Sequence, residues 1–399
     1  MLNVTLKLEN KDHPLLGPSL WGLKKCGMWQ PKTGIRRMFF NFIHITATLF
    51  VVSQYVELWC IKSDLDLALR NLSVTMLSTV CVIKAGTFVM WQEHWKNVLQ
   101  YVSNLEKDQL SRKDKVTDTI ISEYTVYSRR VTYFYWSLVS ATVLTVILAP
   151  FAGYISSDEY RARISAELAP YPEIMSSWVP FDRTRGIGYW ASVLEHSLIC
   201  FYGGGIVAIY DSSAVVLMAF FAGQLKLLSE NCSRMFESDV VDMEQEMLKI
   251  AECHHHHKNL IKYSKILNSL LSPVMFLYVI ICSLMICASA IQITTDGTTT
   301  MQRIWIAEYL MALIAQLFLY CWHSNEVSVM SDKVDDGIYK SSWWSRGVVM
   351  RRSVLLLAGQ LRKNIVFTAG PFTKLNLPAF ITILKGSYSY YTLLSNKED

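Results

Sequence analysis

Thr382, Lys385, Ser389, Thr392 and Asn396 recur at spacings of 3, 4, 3 and 4 near the end of this 399-residue chain. On an α-helix these positions share one arc of about 80°. A stretch otherwise rich in Leu, Ile and Phe therefore carries one wet stripe. The chemistry it offers is solvation: hydroxyls, an amide and an ammonium group can line a water-filled path. Leu393 falls beside Ser389 and Asn396 on that arc, where one large apolar side chain can close a narrow path by dewetting. The pattern allows two settings, a pore wall or a helix packed against polar partners within one subunit.

Other reactive side chains suggest less. "ECHHHHK" places Cys253 before His254 to His257, but one helix face holds only i, i+3 and i+4 neighbours. That gives two ligands where a structural zinc wants four, so the run is expected to be solvated helix surface and no cofactor is expected. The sequence has no phosphate-binding loop, no H-E-x-x-H and no nucleophile elbow, and an enzyme has no site to stand on. Lys84 and Asp211 lie inside apolar blocks at comparable depth. Each would cost about 2.5–3.5 kcal/mol alone at a bilayer centre, so each needs a partner or water, and pairing with one another is one of the two ways to meet that need.

The elements that must position these groups are long and apolar. Hydrophobic residues make up 52% and charged residues 18% of the chain, well short of the roughly 25% charged usual in soluble domains. Seven blocks are long enough to span a bilayer, at about 38–60, 66–92, 131–155, 189–223, 266–294, 304–323 and 371–395. The expected fold is all-α and polytopic. No signal peptide is expected ahead of the first block. Lys and Arg concentrate in segments 1–37, 93–130, 224–265 and 324–363, which places the N terminus in the cytoplasm and the C terminus outside. The stretch 224–265 reads as the fourth and fifth spanning helices running on beyond the membrane, joined near "SENCS" or "FESD". Gly203 to Gly205 read as a site of close helix packing or of a local bend.

This orientation is inverted relative to a G-protein-coupled receptor. Segment 156–188, expected outside, also holds no cysteine for that class's usual outer disulfide. A transporter would be expected to show paired interrupted helices in related halves, and none are seen.

Three motifs carry a family resemblance: "TAGPFTKLNLPAFITILKGSYSYYTLL" from Thr368, "YCWHSNEV" from Tyr320 and "DGIYKSSWW" from Asp336. In order and spacing they resemble the insect odorant receptors. The resemblance implies an odorant-binding subunit of a heteromeric, non-selective cation channel in the plasma membrane of olfactory neurons. Four subunits surround a central pore lined by the last helix, with Leu393 at the gate position. Its partners would be co-receptor subunits, a small volatile odorant and membrane lipid, with no nucleic acid and no G protein required. The co-receptor itself has a longer cytoplasmic connection and a different ending, so this chain resembles a tuned subunit. The alternatives are a gustatory-type channel of the same superfamily, whose Thr-Tyr…Gln-Phe ending is absent, and a G-protein-coupled receptor.

The expected division is residues 1–223 with spanning helices one to four, 224–265 as an anchor region, 266–323 with helices five and six, 324–370 as a further anchor segment, and 371–399 with the pore helix. The resemblance puts the ligand between the second, third, fourth and sixth spanning helices, in their outer half. Shared faces then nominate Asn71, Thr75 and Ser78; Ile147, Phe151 and Tyr154 around Pro150; His196, Ile199 and Tyr202; and Trp305 and Tyr309. Aromatic walls with a few hydroxyls suit a small, mostly apolar molecule.

Overall fold

A computed structural model describes residues 13–63, 65–166, 171–183, 186–237, 242–294 and 300–395, apart from some side chains within the helices. In chain order the helices are α1 (Gly17–Lys25), α2 (Ile35–Cys60), α3 (Leu65–Met90), α4 (Gln92–Ser111), α5 (Lys115–Ser156), α6 (Asp158–Ser165), α7 (Gly186–Ser233), α8 (Met243–Thr294), α9 (Thr300–Asp332), α10 (Asp336–Lys340) and α11 (Val348–Leu361). A two-stranded hairpin, β1 (Thr368–Ala369) and β2 (Thr373–Lys374), leads into α12 (Leu377–Ser395). Among the described residues six helices, α2, α3, α5, α7, α8 and α9, are long and apolar enough to cross a membrane. The seventh, α12, has 19 residues.

Helix α7 is the axis of the fold. Its 48 residues carry apolar side chains all round, and every residue from Ile209 to Leu225 is buried, as expected of a helix enclosed by others. It packs on α5, α9, α8, α3, α10 and α1. Gly204 lets α5 come close, since a Cβ there would lie 2.3 Å from Val143 Cγ2. At about 1.5 Å per residue α7 and the 52-residue α8 exceed twice a 30 Å hydrocarbon layer. Both run on beyond it and form, with α4, α10 and α11, a charged helical end. The connection between them lies past Ser233 and before Met243, on the "FESD" side of the two expected turns.

The last expected span is shorter than its block. Residues 368–374 form the hairpin, with Thr368 opposite Lys374 and Ala369 opposite Thr373. Gly370 takes φ +64° at its turn. Asn376 Oδ1 then accepts from Ala379 N at 2.9 Å, a side-chain N-cap with a proline in the first turn, which starts α12 at Leu377 rather than 371. The hairpin is tied to α8, where Gly370 N donates to Ser272 O at 3.0 Å and Thr368 N to Asn268 Oδ1 at 2.9 Å.

The histidine run is not uniformly solvated. His254 and His255 are exposed, but His257 is fully buried and His256 lies 3.0 Å from Gln224 Oε1. The correction has a simple cause: Cys253, His257 and Leu260 follow helical spacing on the face of α8 that packs inward. Among the described residues no group of three or more His, Cys, Asp or Glu could hold a metal ion.

Candidate functional site

A cavity of about 150 Å³ lies between α3, α5, α7 and α9, with Ala47 and Val51 of α2 along one side. A void of that size lined by apolar side chains accommodates a benzene-sized molecule. Its walls are Val74, Leu77 and Val82 of α3, Leu138, Val139 and Val146 of α5, and Ile199, Gly203 and Val207 of α7, with Ala312 and Leu313 of α9. Helical periodicity builds each wall. Tyr135, Leu138, Thr142 and Val146 recur every three or four residues, as do Tyr309, Ala312, Leu313 and Gln316.

A buried ion pair underlies one end. Lys84 Nζ is 2.6 Å from Asp211 Oδ1, with side chains 0% and 2% exposed. Asp211 also accepts from Tyr135 OH and Tyr320 OH, each at 2.6 Å, and from Gln316 Nε2. The Lys84 ammonium lies 5.1–6.0 Å from the ring centroids of Tyr278, Tyr210 and Tyr320, within cation–π range. Four donors therefore saturate one carboxylate, and the charge expected to need a partner has one. Tyr135 and Gln316 belong both to this cluster and to the cavity wall.

Of the eleven residues nominated from the sequence, Ser78, Ile199, Tyr202 and Tyr309 line the cavity. Three others hold a loop instead. Asn71 Nδ2 donates to Ser176 O at 3.2 Å, Thr75 Oγ1 donates to Asn71 Oδ1 at 2.7 Å, and His196 Nε2 meets Ser177 Oγ at 2.9 Å. Arg183 fastens the same segment, reaching Glu57 Oε1 at 2.6 Å, Glu173 Oε1 at 3.3 Å and the Ser177 carbonyl. Burial raises the Glu173 carboxyl above its ordinary range, and Arg183 pulls it back down. Residues 171–183 thus form a strap, and its Met175 enters the cavity lining. Tyr154 packs on Tyr160 at 6.4 Å. Ile147, Phe151 and Trp305 are half-buried outside the lining.

Tyr135, Thr142, Gln316 and the glycine pair Gly203–Gly204 were missed. On α9 the signal was present, since Gln316 is two turns beyond Tyr309 on the same face. On α5 the face chosen was wrong: Ile147, Phe151 and Tyr154 lie roughly 100–180° around the helix from Tyr135 and Thr142.

On α12 the wet stripe faces away from the rest of the chain. Thr382, Lys385 and Ser389 are exposed and Thr392 is half-buried, whereas Phe380, Ile383 and Leu384 pack on the core. The stripe hydroxyls bond along their own helix, Thr382 Oγ1 to Pro378 O at 2.9 Å and Ser389 Oγ to Lys385 O at 3.0 Å. Asn396 and the side chain of Leu393 lie outside the described residues.

Long, apolar membrane-crossing helices packed around an apolar chamber define a multi-pass membrane protein. The profile of the 7tm Odorant receptor family matches residues 64–388, and the chain belongs to that family. It is 23% identical over 367 residues to Odorant receptor 82a of Drosophila melanogaster, covering 89% of this chain and 92% of that one. A 146-residue stretch is 30% identical to Odorant receptor Or2 of Anopheles gambiae, spanning 37% of this chain and 38% of the relative. In fold it is similar to the insect olfactory receptor OR5 of Machilis hrabei solved with eugenol, at TM-score 0.80 and 16% identity over 96% of this chain and 97% of that one.

Proposed function

We propose that this chain is the odour-tuned subunit of a heteromeric, ligand-gated cation channel in olfactory neurons. A small volatile molecule held in the α3–α5–α7–α9 cavity opens it. The observation that carries this reading is the pairing of two features in one chain. An apolar cavity suits a volatile ligand, and the polar stripe Thr382, Lys385 and Ser389 on α12 is exposed among the described residues. A single lipid-facing helix would not keep Thr382, Lys385 and Ser389 on one outward face. Placed around a central axis, the stripe lines a pore.

The excess of Lys and Arg at the end holding α4, α10 and α11 supports a cytoplasmic location for that end, with the strap and the C terminus outside. Residues 224–265 and 324–370 then form the anchor between subunits. Tyr339, Trp344, Val348, Val349 and Leu356, each at least 59% exposed, supply its apolar surface. Co-receptor subunits complete the tetramer, Leu393 serves as the gate, and no G protein takes part in opening. The test is a recording from cells expressing this chain with a co-receptor, with G-protein signalling blocked. A rapid cation current evoked by small volatiles supports the reading, and a response that disappears under the block overturns it.

A further inference from the structure

Six cavity-lining side chains carry an oxygen or amide, Ser78, Tyr135, Thr142, Tyr202, Tyr309 and Gln316, and most of their hydrogens are already committed to protein acceptors. Tyr135 OH donates to Asp211 Oδ2 at 2.6 Å, and one amide hydrogen of Gln316 goes to the same carboxylate. Because a carboxylate only accepts, the Gln316 nitrogen must face it, which turns Oε1 elsewhere. Thr142 Oγ1 lies 2.8 Å from Glu308 Oε1 and 3.1 Å from Leu138 O. Tyr309 OH is directed to Met285 Sδ at 3.9 Å. His44 Nε2 lies 3.1 Å from the Gly27 carbonyl, so in the neutral ring that nitrogen carries the hydrogen and Nδ1 accepts from Tyr202 OH. Only the Ser78 hydroxyl and the second amide hydrogen of Gln316 remain.

What the wall offers an occupant is therefore mainly lone pairs: the oxygens of Tyr135, Tyr202, Tyr309 and Thr142 and the carbonyl of Gln316. Two are strengthened, since Tyr135 and Gln316 donate to the Asp211 carboxylate and a donor bonded to an anion becomes a better acceptor. We infer that this cavity selects neutral hydrogen-bond donors, alcohols or phenols, over ethers, esters and hydrocarbons of equal size. The inference rests on the cavity being the ligand site proposed above. An ether oxygen would face lone pairs without a hydrogen between them, whereas a hydroxyl satisfies one.

Isomeric probes separate hydrogen bonding from size. Benzyl alcohol against anisole and 1-hexanol against methyl pentyl ether would be titrated into the purified full-length chain, with micelle partitioning measured separately. The expected result is at least tenfold tighter binding of each alcohol, about 1.4 kcal/mol. The preference should fall below threefold in Gln316→Leu or in Tyr135→Phe. Should one variant fail to fold, the other supplies the comparison, with Thr142→Val as a third. Equal binding of isomers, a preference unchanged in every folded variant, or no binding of any probe at millimolar concentration overturns the inference. Alcohol-selective binding without a current in cells holding the co-receptor would defeat the channel reading alone. A current without alcohol preference would defeat only this one.

Discussion

Lys84 of α3 and Asp211 of α7 form a fully buried ion pair 2.6 Å long, at the base of the chamber that Tyr135 and Gln316 of the same cluster line. The pair joins helices distant in sequence. Its other donors come from α5 and α9, so four walls of the cavity converge on one carboxylate.

Removing one partner strands the other charge in the interior, a loss of about 3–5 kcal/mol. Lys84→Met and Asp211→Asn are each expected to reduce folded surface protein severely. The double variant should be less damaged than the sum of the singles. Thermal melts and surface labelling of all four proteins check this, and strict additivity would mean that the two groups do not act as a pair.

Met175 places the Arg183 strap in the cavity lining, so loosening the strap should open the cavity. Cys81 and Cys200 line the chamber and are buried, whereas Cys60 is exposed. Arg183→Gln should raise the rate at which an external thiosulfonate reagent modifies Cys81 and Cys200 severalfold, leaving Cys60 unchanged. Mass spectrometry of the labelled peptides reads both at once. Labelling that also rises at Cys232 and Cys253, buried in the charged end, would indicate unfolding instead.

Lys385 stands exposed on the stripe of α12. In a pore its charge would lower cation conductance, softened as the long side chain snorkels toward the vestibule. Lys385→Ala should increase single-channel conductance or shift cation selectivity modestly. Unchanged values for both would put the residue off the conduction path.

Glu106 of α4 clamps the segment before α1. Leu15 N donates to its Oε2 at 3.4 Å, His13 Nδ1 lies 2.5 Å from Ser103 Oγ, and Arg129 donates to Pro14 O at 2.9 Å. Burial pushes the Glu106 carboxyl from 4.5 up to about 7, against the Leu15 N–H and Arg129, which pull it down. A carboxyl with a raised folded pKa favours the folded form at low pH, and that stability is lost as pH rises from about 4.5 to about 7. The change is on the order of 3 kcal/mol at most. Amide protection factors across residues 13–29, corrected for the intrinsic pH dependence of exchange, should fall over that range in the wild type and stay flat in Glu106→Gln.

Much of this architecture is legible in the residues. Apolar block length locates the spanning helices, and the 3-4-3 spacing of Thr382 to Thr392 identifies the outward face of α12, because both depend on local periodicity. The cost of leaving Lys84 alone predicts that it has a partner or water, and the structure supplies Asp211. Asn71, Thr75 and His196 show where periodicity stops. They share faces with cavity residues, but the strap captures Asn71 and His196, with Thr75 bonded to Asn71 behind it, and nothing local encodes that capture. The start of α12 was displaced for a similar reason, since the hairpin at residues 368–374 exists through its bonds to α8.

The most direct test of the central claim is a whole-cell recording with a co-receptor under G-protein blockade, comparing the wild type with Ala312→Phe. That substitution adds bulk to the cavity wall and leaves Lys84, Asp211 and every residue of α12 in place. The account predicts a rapid cation current to small volatiles in the wild type and its loss in the variant at equal surface expression. An undiminished current in Ala312→Phe would contradict the assignment of the cavity as the ligand site.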